Sequence, residues 1–228
     1  MLWGTAFFLG PSVWILLPAI ALAIYAQWKV RSTYGRYARV PTSRGVQARA
    51  AVLRILQGEA ISDVAIEGTR RTLGDHYDPR QRILRLSAPE STSIAAVGVA
   101  AHEAGHAIQH ARGFGPLALR TTIVPVATFG SQLAFPLFFV GLLMRFEPLI
   151  TAGIVLFSAA VLFTLVTLPV EFDASRRAIV ALRGSGLVTT EELGAVKEVL
   201  FAAALTYVAA AAMAALQLVL MLLAGRRR

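Results

Sequence analysis

The residues of this chain best suited to chemistry form one short motif, His-Glu-x-x-His, at positions 102–106. His102 and His106 are four residues apart, so an α-helix places both imidazoles on one face, about 6 Å apart along its axis. Two neutral imidazoles in this arrangement can bind one zinc ion from the same side. Glu103 lies about 100° further round the helix, where its carboxylate can act as a base on a metal-activated water. The motif therefore predicts a zinc site with hydrolytic chemistry.

The residues before the motif predict the helix that it needs. Hydroxyl side chains at 91–93 can cap a helix, and every residue from 94 to 101 is small or apolar. A helix that is apolar up to this point and then presents two histidines and a glutamate needs a binding partner for them, because unpaired buried polar groups are costly. We predict a helix over residues 93–111, ended by the Gly-Phe-Gly-Pro sequence at 113–116. The alternative is a polar patch on an ordinary helix, but it does not account for the apolar residues that lead up to the motif.

Long apolar stretches indicate that the chain lies in a membrane. Apolar residues make up 56% of its 228 residues, more than the 45–50% of ordinary soluble proteins. Four stretches are long enough to span a bilayer, at residues 2–26, 117–144, 148–170 and 199–224. Lysine and arginine follow the first stretch instead of preceding it, which favours a retained anchor over a signal peptide. We predict a mainly α-helical integral membrane protein with four transmembrane helices.

The basic residues predict the orientation of these spans. Eighteen of the 22 lysines and arginines lie in residues 29–120 and 171–198, which are on one side of a four-span arrangement. By the positive-inside rule that side is cytoplasmic. The net charge of +9 has the same origin, and because the chain has no basic-aromatic module we predict no nucleic-acid partner. The three arginines at 226–228 fall on the opposite side and are an exception.

A hydrolytic zinc site commonly has three protein ligands, so the motif requires one more. The chain has no cysteine, which restricts the third ligand to histidine, aspartate or glutamate. Two predicted spans separate Glu171 from His106, so both residues lie on the same side of the membrane. This favours Glu171 as the third ligand over the alternative that it is only a solvated glutamate. His110 is about 12 Å from His102 along the helix, so the pair His106–His110 is a weaker alternative. His76 is expected to be a hydrogen-bonded turn residue.

Residues 29–116 predict a small α+β region beside the motif. A helix is expected from the Pro-Thr-Ser sequence at 41–43 to Gly58, followed by strands near 64–66 and 83–86 and a turn at 78–81. One of these strands either pairs with an extended substrate or only closes the core, and the sequence leaves both open. Beyond residue 171 we expect a helix that ends at 184–186, and Thr189 with Glu192 forms a capping-box pattern that begins the last helix. The predicted segments are 1–28, 29–116, 117–170, 171–198 and 199–228.

Several stretches resemble the YugP-like neutral zinc metallopeptidases of bacterial membranes. They are residues 102–109 (H-E-A-G-H-A-I-Q), 168–175 (L-P-V-E-F-D-A-S), 75–79, 84–87 and 204–210, so the resemblance covers nearly the whole chain. More distantly the chain is similar to HtpX-like membrane proteases, in which a Glu-x-x-Ala-Asp motif supplies the third ligand. The resemblance implies a zincin-like region, Zn²⁺ held by His102, His106 and Glu171, and a location in the inner (cytoplasmic) membrane of a bacterium with the site facing the cytoplasm. Ser175 stands where the distant relatives carry aspartate.

These observations together predict a membrane-embedded zinc endopeptidase that hydrolyses membrane or membrane-proximal proteins. Glu103 would accept a proton from the attacking water and pass it to the leaving amine. Candidates for stabilising the oxyanion or orienting the ligands are Arg176, Arg177, Tyr207, His76, Tyr77, Ser175 and His110. The alternative is a non-catalytic membrane protein that binds zinc as a structural staple or sensor, which would not need Glu103. A zinc transporter is a weaker alternative, because no predicted span carries charge at its centre.

Overall fold

The computed structural model describes residues 11–70 and 74–226. This part of the chain is mainly helical, with a small three-stranded sheet inserted before the motif. After a 3-10 helix at Pro11–Leu16, the elements in chain order are α1 (Leu17–Tyr37), α2 (Ala48–Gly58), β1 (Ala65–Gly68), β2 (His76–Asp78), β3 (Ile83–Leu86), α3 (Ile94–Ala111), α4 (Gly115–Met144), α5 (Glu147–Ser185) and α6 (Thr190–Arg226).

Three helices of the described residues, α4, α5 and α6, are long and apolar enough to cross a membrane. They coincide with the second, third and fourth predicted spans. The first predicted span, residues 2–26, lies partly outside the described residues, and α1 is not among the candidates, so a fourth span stays a prediction. The orientation also stays a prediction. The helix that contains the predicted span 148–170 does not stop there but continues unbroken to Ser185 and carries Glu171.

The chain forms two compact units. The first contains the described residues up to 26 together with 119–168 and 206 onward, and the second contains 27–118 and 169–205. The first unit therefore holds most of the apolar length of α4, α5 and α6. The second unit holds the sheet, the motif, the end of α5 from residue 169 onward and the beginning of α6 up to residue 205. The five predicted segments stay a prediction.

Within the first unit, small residues bring α4 and α5 together. A Cβ atom on Gly153 would lie 2.7 Å from the carbonyl oxygen of Ala134, and one on Gly141 would lie 2.7 Å from the amide nitrogen of Ile150. Such distances are too short for any side chain, so glycine is required at both positions. In membranes, small residues at helix interfaces allow this close approach and the van der Waals contact that comes with it. Phe138 and Phe157 are buried in the resulting core.

The second unit has a core of its own, in which α2 packs on α3. The buried side chains include Val52, Leu84, Val97, Leu182 and Val196, which come from α2, β3, α3, α5 and α6. Amphipathic α2 supplies its apolar face, as predicted, and ends at Gly58.

The predicted start of α2 at the Pro-Thr-Ser sequence is wrong. The helix begins at Ala48, because Pro41 and Thr42 pair with the chain before α3 and residues 43–44 form a turn. Pro41 forms a β-bridge with Ser93, and the amide of Thr42 donates to the carbonyl of Thr92. This connection ties the chain before α2 to the beginning of α3.

The sheet has the order β1-β3-β2, with β1 parallel and β2 antiparallel to β3. Strands β1 and β3 lie close to the predicted positions. Strand β2 was not predicted, since its three residues are too short to show an alternating pattern. Asp75, just before β2, accepts hydrogen bonds from the amide and hydroxyl of Ser87 at the end of β3, which fixes the antiparallel pair.

Two predicted helix starts are confirmed by their caps. The hydroxyl of Ser93 accepts a hydrogen bond from the amide of Ala96 at 3.2 Å, so α3 begins where the hydroxyl residues indicate. Thr189 and Glu192 form the reciprocal pair of a capping box: the Thr189 amide donates to the Glu192 carboxylate, and the Glu192 amide donates to the Thr189 hydroxyl.

Candidate metal centre

The site is built where the backbones of α3 and α5 touch. A Cβ atom on Gly105 would lie 2.3 Å from the carbonyl oxygen of Ala174, so glycine alone fits at this crossing. His102 and His106 lie on α3 on either side of Gly105, and Glu171 lies three residues before Ala174. The crossing therefore fixes the distance between the two histidines and the glutamate.

We expect Gly105→Ala to separate the two helices and weaken the metal site. Forcing a methyl group into a packed contact costs about 1–3 kcal/mol of folding free energy, and here the group meets backbone. Gly194→Ala is the matched control, because Gly194 is an exposed helical glycine with no atom within 4 Å of its added Cβ. Zinc titration and thermal unfolding of both variants check the prediction, and equal behaviour of the two would contradict it.

His102, His106 and Glu171 each present one ligand atom, and these atoms all lie within 4.8 Å of one another. One carboxylate oxygen of Glu171 is 3.1 Å from Nε2 of His102 and 3.7 Å from Nε2 of His106. Ligand atoms about 2.0–2.2 Å from a tetrahedral zinc ion are roughly 3.3–3.6 Å apart, so the separations of 3.1 and 3.7 Å lie just below and just above the range that zinc requires. Two imidazoles and a carboxylate are also a donor set of catalytic zinc sites. The residues fit the metal that the motif predicts.

Each imidazole is also hydrogen-bonded at Nδ1, the ring nitrogen opposite the one that faces Glu171. Nδ1 of His102 is 3.1 Å from the hydroxyl of Ser175, and Nδ1 of His106 is 3.0 Å from the side-chain oxygen of Gln109. The side-chain oxygen of Gln109 can only accept a hydrogen bond, so His106 must be the donor. The proton of neutral His106 therefore lies on Nδ1, which leaves Nε2 with a free lone pair. Partners of this kind orient metal-binding histidines and increase their basicity. Ser175 thus occupies the orienting position for which it was a candidate.

Gln109 was not predicted as a site residue, yet it connects the two helices of the site. Its side chain is completely buried. Its amide nitrogen donates to the carbonyl of Val170 at 2.8 Å and to the carboxylate of Asp173 at 3.0 Å. The side-chain amide of Gln109 therefore bonds to His106 on α3 and to two groups of α5 at the same time. The sequence signal was a glutamine three residues after His106, in a helix whose other polar side chains are three histidines and Glu103.

Arg176 and Arg177 were candidates for contact with the reacting group, but the structure directs both toward Asp173. They donate to its two carboxylate oxygens at 2.6 and 2.5 Å, from positions one turn later on the same helix. Arg177 also lies over the ring of Phe114, 5.6 Å from its centre. In this arrangement the arginines hold Asp173, and Asp173 holds Gln109.

Glu103 lies beside the three-residue cluster and is almost fully buried. One of its carboxylate oxygens accepts a hydrogen bond from the backbone amide of Tyr77 at 2.9 Å. Strand β2 therefore fixes the carboxylate that was predicted to act as the base. The Tyr77 hydroxyl forms a 2.8 Å hydrogen bond with Nδ1 of His110, one turn beyond His106 on α3.

The electrostatic field of the site favours a positive charge. Burial lowers the pKa of His106, but the hydrogen bond that the Glu171 carboxylate accepts and the charges of Glu103 and Glu171 outweigh burial and raise the pKa. Carboxylates that favour a proton on the imidazole also favour a divalent cation at the same place. Burial, with a smaller effect from Asp78, raises the pKa of Tyr77 to about 12, so its hydroxyl stays protonated at neutral pH.

Two candidates, His76 and Tyr207, remain. His76 is exposed on β2, where its imidazole contacts the carbonyl of Gly74 and the guanidinium of Arg85. It is a hydrogen-bonded residue as expected, although on a strand instead of a turn. Tyr207 is half-buried on α6 and belongs to the first unit, so its role stays a prediction.

Comparison with known proteins identifies the family of this chain. The family model described as "Putative neutral zinc metallopeptidase" matches residues 12–226. The chain is 45% identical over 219 residues to the "Putative membrane protease YugP" of Bacillus subtilis (strain 168), covering 94% of this chain and 97% of that protein. No solved structure matches. The extent of the family match and of the identity shows that the chain belongs to the neutral zinc metallopeptidase family that this description names.

Proposed function

We propose that the protein is a zinc-dependent endopeptidase embedded in a membrane, which cleaves membrane or membrane-proximal proteins. The observation that carries the proposal is the convergence of His102, His106 and Glu171 next to the buried carboxylate of Glu103. A site that only stores or senses zinc needs the three ligands but has no use for a fourth group that can accept a proton. Membership in the zinc metallopeptidase family and the three membrane-length helices support the same proposal.

Each residue has a distinct task in the proposed reaction. His102, His106 and Glu171 would hold Zn²⁺, which would supply Lewis-acid activation of a water molecule and of the scissile carbonyl. Glu103 takes the proton of that water as it attacks and then delivers the proton to the leaving amine. The Tyr77 amide holds the Glu103 carboxylate in place, which leaves its second oxygen for proton transfer.

The edge position of β2 supports its use in substrate binding. It is an outer strand of the sheet, and its central residue contacts the proposed base. An extended peptide that paired with this edge would bring its carbonyl groups close to Glu103. Of the candidate oxyanion donors, Tyr77 lies on this strand, and its protonated hydroxyl, which is bonded to His110, can donate.

Purified protein tests the proposal directly. Prepared without chelator, it is expected to contain about one zinc ion per chain and to cleave a denatured model protein. A chelator should stop cleavage, and added Zn²⁺ should restore it. Stoichiometric zinc without any cleavage would favour the alternative of a structural or sensing role, and no bound metal would contradict both.

A further inference from the structure

An open groove of about 460 Å³ lies in the second unit. None of the three metal-ligand candidates lines it, but Ser175, whose hydroxyl contacts His102, does. Both of its walls are helical, one from α5 and the other from α6. The residues that line it are Phe172, Ser175, Arg176, Ile179, Val180, Arg183, Lys197, Leu200, Phe201 and Ala204.

The charged residues of the groove are all basic. Arg176, Arg183 and Lys197 line it, and no acidic residue does. Arg176 is paired with Asp173, but no described acidic residue forms an ion pair with Arg183 or Lys197. The groove therefore has a positive charge that the described chain leaves without compensation, and its electrostatic complement is an anion.

Apart from Ser175, the rest of the lining is apolar, and three of its large side chains are exposed. The side chains of Phe172, Val180 and Phe201 are 46%, 63% and 59% exposed. Phe172 lies two residues after the long apolar stretch of α5, whereas Arg176 and Arg183 lie about 6 and 16 Å further along the helix axis. The groove thus runs from an apolar end, next to the membrane-length part of the helix, to a basic end beyond it.

An apolar end followed by a basic end favours a lipid over an extended peptide as the ligand of the groove. An extended peptide needs backbone partners along a strand edge, but the amide and carbonyl groups of both walls are used within helices. A hydrocarbon chain needs only apolar contact, and a phosphate needs only the cations. Basic pockets between helices next to the bilayer are a known form of lipid headgroup site.

We propose that this groove binds one anionic phospholipid. Its phosphate lies among Arg176, Arg183 and Lys197, and an acyl chain lies along Phe172 and Phe201. The proposal does not depend on hydrolysis, because it involves neither Glu103 nor the metal ligands.

Native mass spectrometry of the delipidated full chain tests the proposal. We expect phosphatidylglycerol to bind at least about fivefold more tightly than phosphatidylcholine with the same acyl chains, since only the former has net charge. The double substitution Arg183→Gln with Lys197→Gln should remove this preference. The matched control is Arg39→Gln with Arg54→Gln, two exposed arginines outside the groove whose loss changes the net charge equally. The control should keep the preference.

A third variant examines the apolar end. Phe201→Ser changes an exposed side chain, so it should fold normally and bind phosphatidylglycerol more weakly. Equal binding of the two lipids by the unaltered protein, or equal loss in the groove and control variants, would overturn the proposal. Binding of an acidic peptide that depends on Arg183 and Lys197, without binding of phosphatidylglycerol, would overturn it in favour of a peptide site.

Discussion

Glu171→Ala is expected to lower the affinity for zinc by at least about tenfold and to abolish peptide cleavage. Two histidines alone leave the metal with too few protein ligands for a hydrolytic site. The carboxylate of Glu171 is buried between the Nε2 atoms of His102 and His106, at 3.1 and 3.7 Å. No other carboxylate or imidazole of the described residues belongs to this cluster. Metal titration of the purified variant measures the first effect, and cleavage of a denatured protein measures the second.

His110→Ala is the matched control for this prediction. His110 is the rival ligand on the same helix, but its Nδ1 atom contacts the hydroxyl of Tyr77. Its removal should leave most of the zinc bound. If His110→Ala sheds zinc while Glu171→Ala retains it, the ligand set proposed here is wrong. Thermal unfolding of both variants in the presence of excess zinc distinguishes loss of a ligand from loss of the fold.

Glu103→Gln is expected to keep zinc and the fold but lose cleavage by about 10²–10⁴-fold, the range typical of a lost general base. The amide oxygen of glutamine can still accept the hydrogen bond from the Tyr77 amide, so the contact between α3 and β2 survives. What the amide cannot do is take a proton from the attacking water. The measurement is the cleavage rate at saturating zinc, together with the metal content of the same sample.

Glu103→Ala separates the two tasks of this residue. It removes both the base and the partner of the Tyr77 amide, so it should lower the unfolding midpoint relative to Glu103→Gln while being equally inactive. Cleavage by Glu103→Gln at the unaltered rate would mean that another group takes the proton. Loss of zinc from Glu103→Gln would mean that Glu103 supports the metal instead of the reaction.

Most of the local structure could be predicted from the sequence, because it depends on neighbours within a few residues. The start of α3 follows from the hydroxyl of Ser93, and the start of α6 follows from the pairing of Thr189 with Glu192. The three membrane-length helices follow from uncharged apolar stretches alone. The four-residue spacing of His102 and His106 likewise fixes their common face before any tertiary contact is known.

Short-range reasoning was insufficient where distant segments compete for the same residues. The Pro-Thr-Ser sequence at 41–43 has the composition of a helix start, yet Pro41 and Thr42 pair with residues 92–93 and the chain then turns at 43–44. Strand β2 has too few residues to show a pattern, and it forms because β3 supplies its partners.

The site shows the same division between sequence and tertiary structure. The sequence by itself determined which residue types were available: two histidines at helical spacing, an adjacent glutamate, and no cysteine to replace them. Only the tertiary structure decided that Glu171 lies 3.1 Å from His102 and that Gln109 joins His106 to Asp173. The contacts of His102 with Glu171 and of Gln109 with Asp173 join residues more than 60 positions apart, and they depend on the backbone crossing at Gly105 and Ala174. A crossing of this kind is a property of two packed helices, which neither helix encodes alone.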